Sequence, residues 1–162
     1  MHCFAAFTTI LLALSPLEDA PNLLKPTNKA ESWRFEQHEG GKGEMKVDGD
    51  AIHFAVKEVD GTDWHVQAIQ TDLDLKEGKE YVLKFKAKAS EDRSIGVHAM
   101  IDEEDWHQIG LGDTAYLTKE FKQHEFTFTA SSVVAKKNRI AIVMGLEKGE
   151  VWIKEMTLTE KK

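Results

Sequence analysis

The stretch Glu80–Ala89, EYVLKFKAKA, decides the fold. Tyr81, Leu83, Phe85 and Ala87 alternate with Val82, Lys84, Lys86 and Lys88. A period of two with lysines on one side is a β-strand with one face in a core and the other in water. The turn Lys76-Glu77-Gly78-Lys79 leads into it. The same period recurs downstream. Ile95, Val97, Ala99 and Ile101 alternate with Ser94, Gly96, His98 and Met100. Phe126 and Phe128 alternate with Glu125, Thr127 and Thr129, and Ile140, Ile142 and Met144 with Arg139, Ala141 and Val143. Val151-Trp152-Ile153 leads to Met156 and Leu158, and the apolar phase shifts across Lys154-Glu155, as a β-bulge requires. Upstream, Glu44–Val47, Ala51–Val59 and Trp64–Thr71 read as strands. Asp48-Gly49, Asp60-Gly61, Gly112-Asp113 and Lys148-Gly149 read as turns. Roughly nine or ten short strands with regular turns predict an all-β, antiparallel sandwich of jelly-roll type. No helical stretch is visible, so parallel α/β folds, which need crossover helices, are excluded.

The chain has 162 residues, of which 28 are acidic and 21 basic, for a formal charge of −7. With 41% apolar and 30% charged residues it is globular and long enough to bury a core. The acidic excess leaves no basic stripe for nucleic acid. The single cysteine, Cys3, excludes an internal disulfide and a cysteine zinc site. Phe4–Leu14 (FAAFTTILLAL) is an uncharged apolar run. It is shorter than the roughly 20 residues of a membrane span and matches the apolar part of a secretory signal. Residues 1–21 therefore read as a leader and residues 22–162 as one secreted or periplasmic module, monomeric and without a membrane span.

Catalytic templates are absent: there is no G-x-S-x-G, G-x-x-x-x-G-K-[ST] or H-E-x-x-H. No H-x-H occurs, and His53, His65, His98 and His107 fall on different predicted strands. Asp102-Glu103-Glu104-Asp105 reads as a solvated loop between strands, not as the carboxylate pair of a glycosidase. What stands out is Trp64, Trp106 and Trp152 beside His65, Gln67, His98 and His107. Flat aromatic faces cover the C–H face of a sugar ring, and planar polar groups satisfy its hydroxyls.

Asn22-Leu23-Leu24 opens a longer succession. It continues with KEVDGTDWHVQAIQ (57–70), LKEGKEYVLKFKAKAS (75–90), RSIGV (93–97), LTKEFKQHEFTFTA (117–130), NRIAIVMG (138–145) and GEVWIKEMTLT (149–159). In order and spacing this resembles the carbohydrate-binding modules that join families 4 and 9, the cellulase-C-type group, over nearly all of 22–160. The resemblance implies a galactose-binding-domain-like jelly roll. Its concave sheet would carry a groove for β-glucan, xylan or a related chain. It also implies a non-catalytic role beside a glycoside hydrolase partner.

On that pattern His65 and Gln67 read sugar hydroxyls, with Trp64 at the core or rim. His98 shares their side, Gly96 leaves room for a ring, and Trp106 is the stacking platform. His107 follows it, and Arg93 closes one end. Ala141, Val143 and Ile69 are apolar where relatives carry polar or aromatic groups, so the groove is expected to be poor in polar contacts. A disaccharide of roughly 23 heavy atoms at about −0.3 kcal/mol each gives a Kd near 10 μM as an upper limit on tightness. Relatives also hold a structural calcium; here only Glu31 and Glu155 remain as ligands, and a lysine stands where the last strand usually has aspartate. Two alternatives follow from the same residues: a sandwich for structure or protein interaction with a degenerate groove, and a glycosidase.

Overall fold

The computed structural model describes residues 20–162, so the expected leader lies almost wholly outside the described residues. Ten strands form: β1 (Arg34–Gln37), β2 (Lys42–Asp48), β3 (Ala51–Glu58), β4 (Val66–Leu73), β5 (Glu80–Ala89), β6 (Arg93–Ile101), β7 (Gln108–Leu117), β8 (Lys122–Thr129), β9 (Asn138–Val143) and β10 (Gly149–Glu160). The only helical elements among the described residues are two short 3-10 turns, Ala30–Ser32 and Asp63–His65. The strands make two five-stranded antiparallel sheets, ordered β1-β4-β9-β6-β7 and β2-β3-β10-β5-β8. They pack as the expected jelly-roll sandwich.

The period-two pattern places the core. Tyr81, Leu83, Phe85 and Ala87 of β5 face Ile95, Val97, Ala99 and Ile101 of β6 across one buried cluster. Phe54 lies fully buried, edge-on to Trp33 at 5.8 Å and stacked on Phe35 at 5.7 Å. The segment before β1 straps the two sheets together. Asn22 Oδ1 accepts from the Leu158 amide of β10, while Gln70 of β4 donates to and accepts from the Lys25 backbone. In β10 the register shifts between Lys154 and Thr157 and Glu155 takes φ 52°, the expected bulge.

Two strands are not legible in the sequence. In β1, only Phe35 packs on the core, so no alternation shows. In β7, Gly112-Asp113 reads as a turn but lies inside the strand. Gly112 pairs with His98 of β6, and the Gln108 amide folds over the place a Cβ would take. The exposed face of the β2-β3-β10-β5-β8 sheet carries a ladder of its own. His53 stacks on Trp152 at 4.4 Å, and the Lys88 ammonium sits over both Trp152 (4.8 Å) and Phe121 (5.1 Å). Both indole faces of Trp152 are thereby covered, which makes this tryptophan part of the scaffold.

Phe54→Ala should cost about 3–5 kcal/mol, because a fully buried ring leaves a cavity between Trp33 and Phe35. Urea unfolding followed by tryptophan fluorescence measures it.

Candidate functional site

The outer face of the β1-β4-β9-β6-β7 sheet is built from the residues that alternate with the core. Register aligns Glu36, Gln67, Val143, Gly96 and Thr114 in one row across five strands. The next row is Arg34, Ile69, Ala141, His98 and Gly112. Ile69, Ala141 and Val143 are buried and form an apolar floor.

The two halves of this face differ chemically. On the β1 and β4 side the polar groups are consumed by one another. Arg34 donates to Asp102 at 2.6 and 2.9 Å and pairs with Glu36 at 2.7 Å. Glu36 accepts from Gln67 Nε2 at 2.9 Å and lies 3.2 Å from His38. Arg139, nearly fully buried, reaches Asp102 at 3.3 Å. Burial alone would raise the Asp102 carboxyl; the hydrogen bond and charge of Arg34, with Arg139 behind it, outweigh that and hold it below the usual value.

On the β6, β7 and β9 side the polar groups are unspent. A pocket of about 100 Å³ opens over Gly96 and is lined by Asp63, Ser94, His98, Thr114, Val143, Met144 and Leu146. Among the described residues, the Ser94 and Thr114 hydroxyls, both His98 nitrogens and Asp63 Oδ2 have no protein partner. Asp63 Oδ1 is engaged by the Trp64 amide at 2.8 Å. Burial pushes the His98 imidazole below its usual value, against the raising charge of Asp63 and with the lowering charge of Arg139. The ring therefore sits neutral at pH 7, offering one donor and one acceptor. Gly96 lies in the pocket lining, and the place its Cβ would take is filled by the Cγ2 methyl of Val143, with His98 Nε2 at 3.1 Å, so the glycine lets these two side chains close over the strand. Tyr116 stands two residues beyond Thr114, opposite Ser94, and is 76% exposed. Leu146 is exposed on the other rim.

The residues singled out in the sequence fall in different places. His98 lines the pocket. Gln67 is buried and donates to Glu36, and His65 is buried with Nδ1 bonded to Asp60 at 2.7 Å. Trp64 is on the surface beside them, edge-on to His65 and 5.2 Å from His38. Trp106 is half exposed at the β6–β7 connection, beyond the Ile101 end of β6, whereas the pocket is at the Ser94 end. His107 next to it bonds the Ser132 carbonyl at 2.8 Å and Asp105 at 2.6 Å, and these two acceptors, in that order, raise its pKa. Arg93 points into the sandwich end, nearly buried. It donates to the Met144 carbonyl at 2.9 Å, while Nε and Nη1 have no partner. It thus holds the back wall of the pocket from beneath. For calcium, Glu155 is paired with Lys86 at 2.7 Å and Glu31 is exposed. No group of three His, Cys, Asp or Glu side chains gathers among the described residues, so these side chains do not fit a calcium cage.

Asp63, Thr114, Tyr116 and Gln108 were not singled out. Thr114 and Tyr116 point outward by plain alternation with the buried Ala115 and Leu117, but the turn reading at Gly112-Asp113 hid that strand. Asp63 reaches the face only through its 3-10 turn, docked by the Gly145 amide on the Asp63 carbonyl at 2.7 Å.

Comparison with known proteins agrees with this geometry. The family described as Carbohydrate binding domain, CBM_4_9, matches residues 23–150. The chain belongs to this family. Among solved structures it is similar to one titled "CBM4 structure and function", at TM-score 0.74 and 20% identity, covering 86% of this chain and 93% of that one. It is also similar to the second N-terminal cellulose-binding domain of Cellulomonas fimi β-1,4-glucanase C. There the TM-score is 0.68 with 22% identity, over 90% of this chain and 98% of that one. A family 29 module complexed with cellulohexaose aligns at TM-score 0.56 and 12% identity, over 88% and 92%. No curated protein matches the chain in sequence. As a member of this family the module binds carbohydrate.

Asp102→Asn should destabilise by about 3 kcal/mol, the low end for a broken buried pair because Arg34 is solvent-exposed while Arg139 is left uncompensated. In the parent protein the depressed Asp102 pKa gives stability that is present above the unfolded value of about 3.9 and is lost as pH falls through the folded value. Thermal melts from pH 7 to pH 2 should show that loss below pH 4, reduced in Asp102→Asn.

Proposed function

We propose that this is a non-catalytic module that binds a neutral β-linked polysaccharide, of the β-glucan or xylan type, on the β6–β7 half of the outer sheet face. In this reading it is exported and keeps a glycoside hydrolase on its polymer. Tethering of that kind raises the enzyme's effective concentration without new chemistry. The observation that carries the reading is the set of convergent polar groups around Gly96 that no protein group uses. These groups are reachable from solvent and converge on one spot, so an outside partner can take their donors and acceptors in place of water. Tyr116 supplies the flat apolar face that a pyranose stacks on. Gln108, whose amide lies over Gly112 beside His98, supplies a further planar hydrogen-bonding group. Arg93 works through Met144, as a positioning residue.

This placement differs from the expected platform at Trp106. Affinity electrophoresis in β-glucan, xylan and mannan gels separates the two. His98→Ala and Tyr116→Ala should each weaken retardation about tenfold, equivalent to about 1.4 kcal/mol, with Trp106→Ala close to the parent. Loss in Trp106→Ala with Tyr116→Ala unaffected would move the site to the other end of β6. Because His98 is held below the usual imidazole pKa, affinity should stay flat from pH 8 to about 6.5 and fall only at lower pH, as the ring loses its acceptor. A fall already at pH 7.5 would contradict that role.

A further inference from the structure

Resting on the glycan-binding reading above, we propose that the pocket over Gly96 receives the acetamido group of an N-acetylhexosamine. Among the β-linked chains that this face binds, one carrying that substituent is then held more tightly than a plain glucan or xylan.

Size comes first. At about 100 Å³ the pocket is smaller than the roughly 150 Å³ cavity that accepts a benzene ring. A pyranose with its hydroxyls is bulkier than benzene and stays outside. Only an exocyclic group enters.

The chemistry of the lining then selects the group. Asp63 Oδ2 is an unengaged acceptor and needs an N–H or O–H. Neutral His98 and the hydroxyls of Ser94 and Thr114 supply donors for a carbonyl oxygen. Val143 gives an apolar surface for a methyl. An acetamido group has an N–H, a C=O and a methyl, and so uses all three features together. A hydroxymethyl group has no methyl for that surface. A carboxylate brings no hydrogen to Asp63 and meets its charge, and no lysine or arginine lines the pocket to compensate. Uronic acids are therefore disfavoured.

Geometry completes the fit. Tyr116 lies two residues along β7 from Thr114, about 7 Å at the rise of an extended strand. A ring stacked on Tyr116 can thus drop a substituent on C2 beside Thr114.

Isothermal titration with tri-N-acetylchitotriose (chitotriose below) and cellotriose tests this directly, because the two share the pyranose ring and β-1,4 linkage and differ only at C2. Chitotriose should bind the parent protein at least about tenfold more tightly. Thr114→Val and Asp63→Asn, which keep side-chain shape and the Oδ1 contact to Trp64, should bring chitotriose down to the cellotriose level. Cellotriose weakens less than chitotriose in both variants, so the ratio of the two affinities should fall from about tenfold toward one. Thermal melts confirm that the variants fold. Cellotriose binding as tightly as chitotriose, or both ligands weakening alike in the variants, overturns the acetamido assignment and leaves glycan binding intact. No binding of either trisaccharide, nor of β-glucan, xylan and mannan, overturns both.

Discussion

The alternation along β6 is the constraint from which both the scaffold and the site follow. Ile95, Val97, Ala99 and Ile101 are buried against the second sheet, which fixes the register to β7 and β9. A slip of one residue would turn those four side chains into water and bring His98 inside. With the register fixed, Ser94, Gly96 and His98 are bound to lie on the outer face beside Thr114 and Val143. At Gly96 a side chain has no room, because Val143 and His98 pack over it, and the pocket is formed between these residues, Ser94 and Thr114. Core packing and ligand space are thus set by the same strand.

The polar groups of the outer face divide by their partners. Arg34, Glu36, Gln67, Asp102 and Arg139 saturate one another and close the β1–β4 half with a charge ladder. Ser94, His98, Thr114 and Asp63 Oδ2 saturate nothing. Residue types suited to sugars stand on both halves, but only the second half is free to use them. A face that looks poor in polar contacts by its apolar Ala141 and Val143 is therefore not a dead one. Those two residues are floor, and the contacts come from the strands and the turn around it.

The fold was largely readable because its signal is local. Strands such as β5 and β6 write their burial as a period of two, and the β10 bulge shows as a phase shift across Lys154-Glu155. The edge strands were harder. In β1 only Phe35 packs on the core, and β7 contains Gly110 and Gly112, which imitate turns. The site was readable only in part, for a different reason. His98 follows from strand phase alone. His65 is engaged by Asp60 through the turn that joins them, and Gln67 by Glu36 on the neighbouring strand, so chemical type alone could not reveal either contact. Tyr116 faces outward by alternation with Ala115 and Leu117, which the turn reading at Gly112-Asp113 hid. Asp63 depends on a turn docked against Gly145. The matched family and the shared fold agree on carbohydrate binding, while these tertiary contacts decide which side chains do it.

The central claim is that glycan binds on the outer face over Gly96. Amide chemical-shift mapping of the ¹⁵N-labelled protein during titration with chitotriose tests it most directly. The account predicts the largest shifts at Ser94, Gly96, His98, Thr114 and Tyr116, with little change around Trp152 on the opposite sheet or at Trp106. Shifts centred on Trp106 or on the Trp152 face, with Gly96 and Thr114 unmoved, would contradict it.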